Sequence, residues 1–225
     1  MTWSDYAFIL GAYLLGSFPQ LYLLGLTKGK RLSGDLHHEL WRQCGRPYGV
    51  IGFLSELVKG ALPVFIGRAL HLDFAVIAFA GVAVVCGQMW PVFFHFDGEK
   101  GNSVGAAMAL SLTPLPFAVA SIFMVGGFFW RTVPRFLRRG QSLNEKLKLG
   151  GPPSNSFPLG MALGFAVLPL AAWLLGFDTA AIAYALLFAL IMLRRATAGL
   201  TSDIREGKPL APVISARLLF DRSEF

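Results

Sequence analysis

The chain has 225 residues, of which 55% are hydrophobic and 15% charged. Soluble domains carry about a quarter charged residues, so this composition excludes an ordinary water-soluble enzyme and points to an integral membrane protein. The formal net charge of +7 raises nucleic acid as a partner, while Cys44 and Cys86 lack any spacing that suggests a disulfide framework or a zinc site.

Residues 3–26 are apolar and long enough to cross a hydrocarbon core of roughly 30 Å. Gly11, Gly16, Ser17 and Gly25 allow neighbouring helices to approach, and Pro19 predicts a kink. Asp5 stands where a cleavable signal peptide would be basic, so the segment reads as a retained span. A polar, basic loop follows from Thr27 to Tyr48. Residues 49–70 predict a second span, interrupted by Glu56 and Lys59. Residues 72–94 predict a third, with Trp90 near its end as an interfacial anchor. The stretch 102–112 is helical in pattern but too short for an undistorted bilayer, and Thr113-Pro114-Leu115-Pro116 ends it; it predicts a short or tilted fourth helix. Further spans are expected at 117–130, 157–176 and 179–193. Between the fifth and sixth, residues 131–155 form a basic loop with an amphipathic helix expected near 135–149, and 194–225 form a polar, basic tail. The expected class is an all-α integral membrane protein, one polytopic domain built as a bundle of about seven transmembrane helices.

Charge placement supports this layout. With seven spans, 18 of the 20 Lys and Arg residues fall on one side, Arg68 falls on the other and Lys59 lies within a span. The positive-inside rule then puts the N-terminus outside and the C-terminus in the cytoplasm. Topology and anionic lipid heads account for the basic charge, and nucleic acid is not expected as a partner.

Three polar segments thereby share the cytoplasmic face: 28–48, 97–103 and 194–209. The middle one, Asp97-Gly98-Glu99-Lys100-Gly101-Asn102-Ser103, sets a lysine between glycines just before a helical pattern. Glycine backbone amides, a helix N-terminus and a full positive charge suit a phosphate; a plain glycine turn between helices is the alternative. Glu56 and Lys59 are one helical turn apart and can pair, either as a functional couple or as a structural one with Lys59 snorkelling to an interface. His37, His38 and Glu39 lack further ligands at helical spacing and are expected to be solvated rather than metal-bound. No nucleophile elbow surrounds Ser33.

These segments resemble the bacterial acyl-phosphate:glycerol-3-phosphate acyltransferases of the PlsY type. Leu15-Gly16-Ser17-Phe18-Pro19 matches that family's Gly-Ser-(Ile/Phe)-Pro signature, and Gly87 to Gly101 follows its G-H-x-F-P-x-F-x-x-F-x-G-G-K-G motif in register, with Gln88 and Glu99 as departures and Trp90 as a conservative change. Its first motif survives in Ser33-Gly34, Arg42, Gly45, Gly49, Glu56, Lys59 and Gly60, whereas His37-His38-Glu39 replaces a Gly-Ala-Thr-Asn tetrad. In the third motif Arg194 and Gly207 fit, but Arg195 and Pro209 stand where His and Glu are usual. Ser154 or Ser156 occupies the place of a useful serine in the preceding loop.

The resemblance implies a seven-span inner-membrane enzyme whose site faces the cytoplasm. It would move a fatty acyl group from acyl-phosphate to glycerol 3-phosphate, giving lysophosphatidic acid, with membrane lipids around it and no metal or other cofactor. Ser33, Arg42 and Lys100 are the expected catalytic residues; Gly34, Lys59, Gly98, Gly101, Ser103 and Arg194 are expected to bind substrate. The departures favour a second reading, a non-catalytic or repurposed homologue that binds a phosphorylated lipid or acts as a scaffold. A small transporter is a third, disfavoured by spans carrying only Glu56 and Lys59 as charged groups away from their ends and by the lack of a paired repeat.

Overall fold

A computed structural model describes residues 1–137 and 155–221. Among the described residues the fold is entirely helical, and six segments are long and apolar enough to cross a membrane: Trp3–Leu26, Arg46–Ala69, Phe74–Phe94, Pro114–Leu137, Ser156–Leu174 and Asp178–Arg205.

The first segment is two helices, α1 (Trp3–Ser17) and α2 (Gln20–Leu26). Proline disfavours the helical region for the residue before it, and Phe18 is accordingly extended at ψ 127°. The expected kink is thus a full break. α1 crosses α5 (Phe74–Met89) where Gly16 meets Gly87. A methyl on Gly16 would lie 2.0 Å from the Val84 carbonyl oxygen, and one on Gly87 2.1 Å from that of Tyr13, so only glycine permits this backbone contact.

The expected loop 27–48 contains a helix, α3 (Leu36–Cys44), capped by Asp35, whose Oδ1 accepts from the His38 N–H at 3.0 Å. Leu40 is its buried anchor. Gly45 turns the chain into α4 (Arg46–Ala69). α5 is the central helix: 67% of the most apolar stretch of Phe74–Phe94 is buried, against 22% for Trp3–Leu26. After it come a single 3-10 turn (Val92–Phe94) and left-handed residues at His95 and Phe96. The chain then folds back on α5, with Gly98 N–H donating to Met89 O (3.2 Å) and Glu99 N–H to Gln88 O (3.0 Å).

α6 (Asn102–Leu112) has 11 residues and is roughly 16 Å long. Its Val104 packs directly on Gly60, and Arg68 donates to the Leu112 carbonyl at 2.8 Å. It therefore starts level with the middle of α4 and ends level with that helix's C-terminal end. α7 (Pro114–Leu137) follows with prolines in its first turn, longer than the 117–130 expected; of the amphipathic helix expected near 135–149, only 135–137 lie within the described residues, as the end of α7. α8 (Ser156–Leu174) packs along α7, and α9 (Asp178–Thr197) runs beyond the expected 193 to carry Arg194 and Arg195. The tail is folded, as α10 (Leu200–Arg205) and α11 (Leu210–Phe220). Asp203, 4% exposed, holds it: Lys208 lies 3.1 Å away, and Arg217 pairs with its other oxygen.

The charged ends sort the bundle. Lys100 pairs with Asp221 at 2.8 Å, Arg194 with Asp97 at 2.7 Å, and Arg195 donates to the carbonyls of Pro158 and Leu218. The 97–101 loop, the end of α9, the start of α8 and α11 therefore lie at one end. Arg68, Leu112 and the Thr113–Tyr184 hydroxyl pair (2.6 Å) mark the other. Large exposed apolar side chains such as Ile122, Trp173 and Ile182 cover the flanks, as lipid contact requires.

Candidate active site

Three breaks meet at one depth: the Phe18-Pro19 interruption, the loop before α3, and the fold-back at 97–101. They enclose a cavity of about 340 Å³ lined by polar groups from Ser17, Ser33, Gln88, Asp97, Glu99 and Arg194 and by apolar ones from Phe18, Leu21, Tyr22, Leu32, Pro91 and Phe94. A site that is polar at one wall and aromatic at another fits a ligand with both a charged head and an apolar tail.

Behind the wall runs a chain of buried polar groups. Lys59 Nζ donates to the carbonyls of Gly16 (3.0 Å) and Phe18 (2.8 Å) and to Gln88 Oε1 (2.7 Å). An ammonium has three donors, and all three are used. The other end of the Gln88 amide donates to Glu56 Oε1 at 2.8 Å, and Glu56 Oε2 lies 2.7 Å from His37 Nε2. Glu56 and Lys59, 3% and 5% exposed, thus do not pair directly, contrary to their one-turn spacing: Gln88 of α5 stands between them. The broken α1 explains why. Its last turn loses its helical partners at Phe18-Pro19, and Lys59 supplies donors to the freed carbonyls.

His37 is also not the solvated side chain expected. It is ion-paired across α3 to α4, whereas His38 stays exposed and Glu39 pairs with Arg42 on its own helix. Burial pushes the His37 imidazole down, but the Glu56 contact and the charges of Glu56, Glu99 and Asp35 outweigh it and hold the group above its ordinary value. Glu99 turns inward rather than to Lys100 or to water: its Oε1 accepts the Leu36 N–H at 3.1 Å. Burial, then the charges of Glu56 and Asp35, push its carboxyl up to about 7, against the opposing pull of His37 and the Leu36 N–H. Among the described residues no group of three or more His, Cys, Asp or Glu side chains is placed to hold a metal.

The expected site residues divide. Ser33, Gly34, Gly98 and Arg194 line the cavity. Arg194 Nη2 donates to Asp97 Oδ1 at 2.7 Å and also to the Gly98 carbonyl. Gly98 has no room for a side chain, since a methyl there would sit 2.3 Å from the Gln88 carbonyl oxygen. Lys59 lies directly behind the wall. Gly101, at φ 73°, caps α6 against Met89 and Val85, and Ser103 sits in the first turn of α6. Arg42 is elsewhere: its side chain is 65% exposed on α3 and pairs with Glu39 at 2.9 Å. Lys100 points to Asp221, out of the cavity. Ser154 lies outside the described residues, and Ser156 opens α8. The residues not foreseen are Gln88, His37 and Glu99 as structural partners. Their signal was present, as each stands at a departure from a motif.

The sequence matches the family described as glycerol-3-phosphate acyltransferase over residues 6–202. A curated glycerol-3-phosphate acyltransferase of Desulforamulus reducens is 33% identical over 165 residues, covering 69% of this chain and 74% of the relative. That of Aquifex aeolicus is 32% identical over 168 residues, covering 71% and 88%. Among solved structures, a crystal structure of PlsY, an integral membrane glycerol 3-phosphate acyltransferase in its lysophosphatidic acid form, aligns with a TM-score of 0.67 at 22% identity over 91% of this chain and 93% of that one. A second crystal structure of PlsY, in its glycerol 3-phosphate form, aligns equally well and covers 94% of its own chain. At that identity the structures bear on the fold, which they share, while the sequence match bears on ancestry. The chain belongs to the glycerol-3-phosphate acyltransferase family.

Proposed function

We propose that this protein transfers a fatty acyl group from acyl-phosphate to the sn-1 hydroxyl of glycerol 3-phosphate, giving lysophosphatidic acid for phospholipid synthesis. The observation that carries this reading is the convergence of Ser33, Gly34, Gly98 and Arg194, from three separate polar segments, on one half-apolar cavity. The names of the relatives and the two ligand forms of the neighbouring structure point the same way.

In the reaction, the acceptor hydroxyl oxygen attacks the acyl carbon. A C–O ester bond forms, the bond from carbon to the phosphate oxygen breaks, and phosphate leaves with the electron pair while the hydroxyl proton passes to it or to solvent. Phosphate is a good leaving group, so holding two anions together accounts for most of the catalysis. Arg194 is assigned to a phosphate oxygen, Ser33 to orienting the acceptor, and the backbone at Gly34 and Gly98 to close approach. Lys59 fixes the Gly16–Phe18 wall. Gly101 and Ser103 present the positive end of α6, while Arg42 and Lys100, ion-paired outside the cavity, belong to the basic end of the bundle that an anion approaches.

The same reading includes seven passes through the inner membrane, with α6 as the short one, the N-terminus outside, and the cavity and C-terminus cytoplasmic. Its support is the sorting of basic residues to the end that holds Lys100, Arg194 and the start of α8.

The test is purified protein with acyl-phosphate and radiolabelled glycerol 3-phosphate. Lysophosphatidic acid is the expected product, and Arg194→Ala lowers kcat/KM by about two orders of magnitude. Absence of product from the wild type overturns the acyltransferase reading and leaves the lipid-binding one. Equal rates with an acyl thioester donor overturn the choice of donor.

A further inference from the structure

The charge inside the cavity is unlike the charge around it. Among the described residues three charged side chains line it, Asp97, Glu99 and Arg194. Arg194 is already engaged by Asp97 and the Gly98 carbonyl. Lys59, behind the wall, has all three donors committed. Lys100, next to Glu99 in sequence, is drawn away to Asp221. An entering phosphate therefore meets one guanidinium and two carboxylates.

Asp97 is neutralised by Arg194, but among the described residues no cation is ion-paired with Glu99. Its Oε1 accepts the Leu36 N–H, and its own N–H is fixed to the Gln88 carbonyl. The groups facing it are Glu56 and Lys59 from α4, Asp35 and His37 at the start of α3, and Asp97 and Arg194 on the shared wall. As a carboxylate it repels a second anion; as a carboxylic acid it becomes a hydrogen-bond donor to one.

We propose that Glu99 determines which anions the cavity accepts: a tetrahedral anion enters together with one proton, and the protonated Glu99 donates from its free oxygen to that anion. This rests on the reading that the cavity holds a phosphate ester. The proton comes from solvent, so each anion bound takes up a fraction of a proton equal to the share of Glu99 that was ionised. Burial and the charges of Glu56 and Asp35 push its carboxyl up to about 7, which places this coupling within the physiological range.

Sulfate is the first probe, since it stays a dianion between about pH 5 and 8 and adds no titration of its own. Glycerol 3-phosphate and dodecyl phosphate form two further arms, separating a water-soluble source of the anion from a lipid-like one. Wild-type sulfate affinity falls about tenfold from pH 6 to pH 8, and binding takes up about half a proton at pH 7 by calorimetry in two buffers. Glu99→Gln binds with no such slope, while His37→Gln keeps it. The organic arm that shows the same slope identifies the substrate seated beside Glu99. Wild-type binding that is flat with pH, or a slope that persists in Glu99→Gln, overturns the proposal and leaves the phosphate site standing. No binding of any probe by wild type or Glu99→Gln at pH 6 overturns both.

Discussion

Replacing Gln88 by leucine tests whether the buried polar chain holds the bundle together. The side chains are similar in size, so the substitution removes two hydrogen bonds and little volume. Lys59 loses one acceptor of three, at 2.7 Å, and Glu56 loses the donor at 2.8 Å. Each is a hydrogen bond to a charged group, and leaving such a group unmet costs about 1.5–3 kcal/mol, or about 3–6 kcal/mol for the two. Gln88 also lines the cavity, so water reaches the vacated positions and offsets part of this. The expected loss is about 3 kcal/mol, or roughly 6–12 °C in melting temperature by the scaling for domains of this size. The assay is thermal unfolding of the purified protein in detergent, with Ser121→Ala as control, since that hydroxyl bonds only to its own helix at Ala118. The control should shift by under about 0.5 kcal/mol. If Gln88→Leu costs less than about 1 kcal/mol, the Lys59–Gln88–Glu56 chain is not what joins α1, α4 and α5.

The helix crossing offers a second test. Gly16→Ala and Gly87→Ala each drive a methyl into partner backbone at 2.0 and 2.1 Å, and each should cost about 1–3 kcal/mol through overpacking, read as a lower unfolding midpoint; a neutral result for both would show that the helices do not touch there. A third concerns pH. His37 is raised above its ordinary 6.5, and Glu99 is raised above its ordinary 4.5 to about 7. In both the folded value exceeds the unfolded one, so each contributes stability that is full below the unfolded value and is lost as pH rises through the folded one. Melting temperature should therefore fall between pH 6 and pH 8, and the fall should shrink in the His37→Gln/Glu99→Gln double variant; an undiminished slope would assign it to other groups.

The long spans were legible because length and apolar composition are local properties. Every one of the six long helices overlaps a stretch read from hydropathy alone, with ends moved by a few residues where prolines start a helix or arginines end one. α3 was hidden by its polar composition, and α11, which is apolar, by its length of 11 residues within a tail that is otherwise polar and basic. α3 buries Leu40, and α11 buries Val213 and Ala216, contacts that become visible only against the surface that covers them. The cap at Asp35 was the available cue for α3. In the site, the polar segments were correctly singled out, but which way each side chain turns was not. Glu56 and Lys59 look like a couple because they share a helix, yet both are served by a residue 32 and 29 positions away. Glu99 and Lys100 are neighbours that face opposite ways, because the Gly98 fold-back and the left-handed Gly101 set the backbone between them. Such facts depend on where a third element sits, which no local spacing encodes.

The short α6 has a consequence for how a lipid chain meets a water-soluble partner. Because α6 begins level with Gly60, the turn that precedes it reaches far below the plane where Arg46 starts α4, about 20 Å along that helix. Lifting an acyl chain out of a bilayer costs about 0.8 kcal/mol for each methylene exposed to water. On the proposed function, a polar crevice at that depth reverses the traffic: the small hydrophilic molecule descends, and the fatty chain stays in the lipid. A full-length helix in place of α6 would fill that crevice, so the short helix is what keeps it open.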